Sequence, residues 1–120
     1  MRVVVADAEA HVRSALQLLL EQHAATCVAE LASGDGLLTE LERAAADVLL
    51  VDAQIPKVDL ASLLPTLSQM YPDLLIVVLS SRPEERERAL AAGADAFVCK
   101  GDAPERLVSI LSLAGADPTA

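Results

Sequence analysis

Short apolar runs alternate along the chain with longer stretches in which apolar positions recur at every third or fourth residue. The runs RVVVA (2–6), TCVAELA (26–32), DVLLVDA (47–53), LLIVVLSS (74–81) and DAFVCK (95–100) predict five strands. Between and after them, helical spacing covers 9–22, 33–45, 58–71, 83–93 and 103–115. In the first helix Val12, Leu16, Leu19 and Leu20 share a face. Pro65 is expected to bend or shorten the third helix. Pro83 and Gly93 mark the start and end of the fourth.

The strands are apolar at successive positions, the mark of a parallel sheet covered by helices on both faces. Strict strand–helix alternation with right-handed crossovers then gives a doubly wound α/β domain. Ligands of such sheets gather beyond the carboxyl ends of the strands. The polar residues there are Asp7, Asp52, Ser80 with Ser81, and Lys100. Each has an ordinary turn or surface explanation, but four at matching ends form a pattern. Oxygens of that kind hold a hard cation, and an ammonium beside them balances a further anion.

Composition narrows the picture. The 120 residues suit one domain, and 53% hydrophobic with 2% aromatic content makes the core aliphatic. A net charge of −9 disfavours direct binding to nucleic acid. Cys27 and Cys99 lie far apart in apolar runs and read as buried, reduced thiols. No apolar run is long enough for a membrane span and no secretory signal is evident, so the expectation is a soluble, cytoplasmic protein. No Gly-x-Gly-x-x-Gly follows a strand, the first loop lacks a Ser/Thr/Gly cradle, and there is no Trp and one Tyr. These features argue against a flavin or nucleotide enzyme. Leu18, Val108 and Leu113 read as surplus apolar surface, the ground for a homodimer through the first and last helices.

The segments LLVDAQIPKVDL, IVVLSS and AGADAFVCK, with the opening VVVADAEAHVR, resemble the landmarks of response-regulator receiver domains, in the right order. CVAELASGDG, and the GDAPERL that follows Lys100, are similar to receivers joined to LuxR-type helix-turn-helix output domains. The resemblance implies a flavodoxin-like five-stranded sheet of order 2-1-3-4-5, with a receiver over 1–114 and a tail or linker stump over 115–120. By the same resemblance Asp52 is the phosphoacceptor, served by a histidine kinase or phosphotransfer protein. Asp7, Asp52 and the Gln54 backbone carbonyl are the Mg²⁺ ligands. Lys100 pairs with the phosphoryl group, and Ser80 and Phe97 are the switch pair, the ring turning from exposed to buried. The Gln54 side chain and Arg82 tune dephosphorylation. The chain is then a signalling switch, not a turnover enzyme.

Departures from that pattern matter. Ala8 stands where the family has a second Asp that touches Mg²⁺, so weak or absent Mg²⁺ binding is expected, with Glu9 as the one nearby substitute. Lys57 and Leu60 replace glycines, Phe97 replaces Tyr, and Ala96 replaces Gly. His11 is the one transition-metal ligand type near Asp7 and Glu9, although a solvated helix start explains it as well. The alternative reading is a pseudo-receiver that acts by protein contact without phosphate.

Overall fold

The computed structural model describes residues 1–113. Five parallel strands, β1 (Arg2–Ala6), β2 (Thr26–Leu31), β3 (Val48–Asp52), β4 (Leu75–Ser80) and β5 (Ala96–Cys99), form one sheet of order β2-β1-β3-β4-β5. Helices α1 (Ala10–Gln22), α2 (Leu37–Ala44), α3 (Leu60–Met70), α4 (Arg86–Ala92) and α5 (Pro104–Ser112) connect and follow them. The proposed tail at 115–120, and the end of the last predicted helix, lie outside the described residues.

Successive strand side chains point to opposite faces, and this divides the core in two. Val3, Val5, Leu50, Val77 and Leu79 pack with Leu20 of α1 and Leu107, Ile110 and Leu111 of α5. Val4, Ala6, Leu49, Val51, Ile76, Val78 and Phe97 pack with Leu37 and Leu41 of α2, Leu64 and Leu67 of α3, and Ala89 of α4. Every residue of β3 is therefore buried, whereas the edge strand β2 is half-covered. Burial on this scale contributes roughly 25 cal/mol per Å² of apolar surface and fixes the strand register.

Local chemistry sets the element ends. Asp59 caps α3, its Oδ1 accepting from the Ala61 amide at 3.3 Å and its Oδ2 from the Ser62 hydroxyl, so the helix begins at Leu60 rather than Val58. It runs through Pro65, which stands exposed. The expected fourth helix is two pieces: a 3₁₀ turn over Pro83–Glu85, then α4, which buries only Ala89. Its charged sequence offers the core little else. On α1, Val12, Leu16 and Leu19 are half-buried beside the buried Leu20. Leu18 is 59% and Leu113 80% exposed, as surplus apolar surface should be, whereas Val108 is half-buried. Cys27 and Cys99 are unpaired but only half-buried, because one sits on the sheet edge and the other at a strand end.

Two loops at the carboxyl edge are tied through a glycine. The Gly34 amide donates to the Pro56 carbonyl at 2.8 Å, and a Cβ on Gly34 would lie 2.6 Å from the Val58 Cβ. Gly34→Ala should therefore lower stability by about 1–3 kcal/mol through overpacking, measured by urea denaturation. An unchanged midpoint would show that these loops are not locked together.

Candidate functional site

Adjacent parallel strands end at the same edge, and the sheet order places β1 beside β3, β3 beside β4 and β4 beside β5. Asp7, just beyond β1, is fully buried. Its amide donates to the Leu31 carbonyl at 2.9 Å, and its Oδ1 accepts from the Glu9 amide at 2.9 Å. Its remaining oxygen, Oδ2, faces Lys100 Nζ at 2.7 Å. This is a charge contact, and no aligned hydrogen bond reaches that oxygen. The same ammonium lies 3.5 Å from Asp52 Oδ1. Lys100 is itself anchored, its amide donating to the Ser80 carbonyl at 2.8 Å.

The charges follow from this placement. Burial pushes the Asp52 carboxyl above its ordinary range; Lys100 opposes the shift, Asp7 adds to it, and the Gln54 amide opposes it. Burial acts to lower the Lys100 ammonium, but Asp7, Asp52 and Glu9 outweigh it and the net shift is upward. One fixed cation thus serves two buried carboxylates. An added anion at Asp52 would meet that cation directly.

The expected site residues are not all drawn in. Glu9 Oε2 lies 3.3 Å from His11 Nε2, and both side chains are exposed. A short, solvated side-chain pair costs less than carrying Glu9 into a buried niche beside two other carboxylates. Among the described residues, no three His, Cys, Asp or Glu side chains gather as a metal set. The residues present do not fit a tightly held Mg²⁺, because only Asp7 and Asp52 offer carboxylates and one ammonium already faces both. Gln54 follows Asp52 by two residues, and its side-chain Nε2 donates to Glu85 Oε1 at 3.3 Å, across to the turn after β4.

Ser80 is buried, and its Oγ accepts from the Arg82 amide at 2.9 Å. Arg82 itself points out to solvent. Phe97 is buried, 2% exposed, in the layer formed with Val78 and Ala89. A phenyl ring without a hydroxyl has no reason to seek water. Lys57, by contrast, explains the glycine it replaces, because its φ is +65°. Leu60 opens α3 with ordinary helical geometry and packs partly on the core.

Sequence reasoning missed Arg13, whose Nη1 donates to the Asp7 carbonyl at 2.7 Å and whose Nε donates to Glu30 Oε1 at 2.9 Å. The available signal was a basic residue in the first turns of α1 with a Glu near the end of β2.

The raised Asp52 carboxyl has a consequence for stability. The folded state binds this proton more readily than the unfolded chain, so stability falls as pH rises from the unfolded toward the folded value. Asp52→Asn should therefore raise the denaturation midpoint at neutral pH, and the gain should vanish in acid, where the native carboxyl is protonated. A variant less stable at neutral pH would contradict this.

Comparisons with known proteins agree with this geometry. The family model for the response regulator receiver domain matches residues 3–112. An uncharacterized transcriptional regulatory protein of Bacillus subtilis, YhcZ, is 32% identical over 120 residues, covering 98% of this chain and 56% of its own length. The chain thus spans about half the length of that relative. Among solved structures, the RcsB response regulator of Salmonella typhimurium superposes with TM-score 0.86 at 26% identity, over 99% of this chain and 62% of that one. The signal receiver domain of the putative response regulator NarL from Mycobacterium tuberculosis gives TM-score 0.83 at 24% identity, with 95% of each chain covered. The fold, the strand order and the match along nearly the whole chain establish that this protein belongs to the response regulator receiver domain family.

Proposed function

We propose that this receiver accepts a phosphoryl group on Asp52 from a histidine kinase or phosphotransfer protein and presents a changed surface to its partner. The observation that carries this reading is Lys100 Nζ, set 2.7 Å from Asp7 and 3.5 Å from Asp52 at the carboxyl edge of the sheet. A carboxylate attacking an anionic phosphohistidine must overcome like-charge repulsion, and a fixed ammonium lowers that barrier. An Asp52 oxygen forms the new bond to phosphorus as the phosphorus–nitrogen bond breaks. The electron pair stays on the imidazole, which can take a proton from water. Asp7 neutralises Lys100 at rest and keeps it in place.

Ser80 is the nearest switch candidate. Its hydroxyl would leave the Arg82 amide to meet the phosphoryl oxygens, shifting the end of β4 and the turn that leads to α4. Phe97, buried beside Val78, is the second member of the switch pair, and the turn carrying Glu85 moves with the end of β4. Receivers of this family generally use Mg²⁺. With Ala8 in place of the second carboxylate, this one binds it weakly, and transfer is slow at ordinary Mg²⁺.

The receiver unit spans 1–114 and acts within a longer regulator that carries a DNA-binding output domain. RcsB from Salmonella enterica, 27% identical over 94% of this chain, is described bound to promoter rprA in the presence of phosphomimetic BeF3⁻. The net charge of −9 leaves DNA contact to such an output domain. The exposed Leu18 and Leu113 support pairing of two copies through the α1 and α5 face. No described helix is long and apolar enough to cross a membrane. The phosphodonor places this domain in the cytoplasm.

Acetyl phosphate across a Mg²⁺ series, read by intact mass, tests the reading. The chain should gain one phosphate slowly, Asp52→Asn should gain none, and Ala8→Asp should tighten Mg²⁺ binding by about 10–100-fold. Phosphate retained by the Asn variant identifies a different acceptor. No phosphate at any Mg²⁺ concentration favours the pseudo-receiver that acts by protein contact.

A further inference from the structure

Lys100 is held by Asp7, and Asp7 is held in turn by groups outside the niche. Its amide binds the Leu31 carbonyl at 2.9 Å, and its Oδ1 binds the Glu9 amide at 2.9 Å. Its carbonyl accepts from Arg13 Nη1 at 2.7 Å. Arg13 lies on α1 with its side chain only 17% exposed, and its Nε reaches Glu30 Oε1 at 2.9 Å. Gln17, one turn further along α1, donates to the other oxygen of Glu30. The guanidinium fork therefore clamps three elements together: the turn after β1, helix α1, and the last residues of edge strand β2. With both backbone groups and Oδ1 taken, the Asp7 side chain is left one orientation, in which Oδ2 meets Lys100.

An exposed Arg–Glu pair by itself contributes little to stability. Here the planar fork makes two directed contacts at once, and a single-point ammonium could not reproduce both. One contact falls on the peptide that joins Asp7 to Ala8, where loss of the clamp lets the peptide tip and the Oδ1 bond loosen.

We propose that Arg13, braced by Glu30, is a positioning residue of the niche: it fixes Asp7 so that Lys100 stands between Asp7 and Asp52. The role in phosphoryl transfer rests on the reading of Asp52 as acceptor; the positioning of Lys100 does not.

Lys57 and Lys100 are the only lysines, so the two ammonium groups can be compared within one molecule. Lys57 pairs, among the described residues, with Asp35 alone, each side chain 67% exposed, and serves as the internal reference. Brief acylation with the N-hydroxysuccinimide ester of acetic acid, mapped by peptide mass, gives the Lys100 to Lys57 ratio. Arg13→Ala should raise that ratio by about threefold or more, and Glu30→Gln should raise it in the same direction. Both are read at a temperature where circular dichroism shows the native fold, and Glu30→Gln carries the test if the alanine variant does not fold. In the same proteins, acetyl phosphate transfer should fall about tenfold. An unchanged ratio in the folded variants overturns the positioning role. A raised ratio in a chain that never takes phosphate upholds the role and rejects Asp52 as acceptor.

Discussion

A single ammonium facing two buried carboxylates is the contact on which the functional edge depends. Asp7 is fully buried and Asp52 nearly so, and buried charge is costly unless an opposite charge lies beside it. Lys100 supplies it from the end of β5, across β4, because the parallel sheet brings every strand to the same edge. The aliphatic layers behind the edge make this arrangement effective. They exclude water, lower the local dielectric and strengthen each charge interaction. The same burial raises the Asp52 carboxyl, so its charged form is disfavoured there in a way that a well-packed amide would not be.

Where a family position is filled differently, the structure shows which differences reach the site. Ala8 offers no carboxylate and Glu9 lies beside His11; among the described residues Lys100 is the one cation that pairs with the carboxylate oxygens of Asp7 and Asp52. Lys57 accepts a left-handed backbone and pairs with Asp35 in solvent. Phe97, lacking a hydroxyl, is packed into the core with Ser80 still bonded within its own loop.

Much of the fold was legible because burial on both faces writes continuous apolar runs into a sequence, and all five strands followed from that pattern. The strand order came with the family resemblance. Element ends were less legible, since they depend on single caps such as Asp59 and on how much core a helix reaches. The charged segment after Pro83 has helical spacing but only Ala89 to bury, and it breaks into a 3₁₀ turn and a short helix. Asp7, Asp52, Ser80 and Lys100 were visible as polar residues ending apolar runs, and the sheet brings them to one edge. Arg13 was hidden because its partners are a backbone carbonyl and a glutamate on a strand that only folding brings near. The half-exposed cysteines were misread because an edge strand carries the same apolar pattern as a central one.

A double-mutant cycle between Asp7 and Lys100 tests the shared cation most directly, using Asp7→Asn, Lys100→Met and the double variant in urea denaturation at neutral pH. The account predicts that each single change costs about 3 kcal/mol and that the double variant costs far less than their sum, a coupling of about 2 kcal/mol. Additive losses would mean that Lys100 and Asp7 do not depend on each other, and the account of the niche would fail.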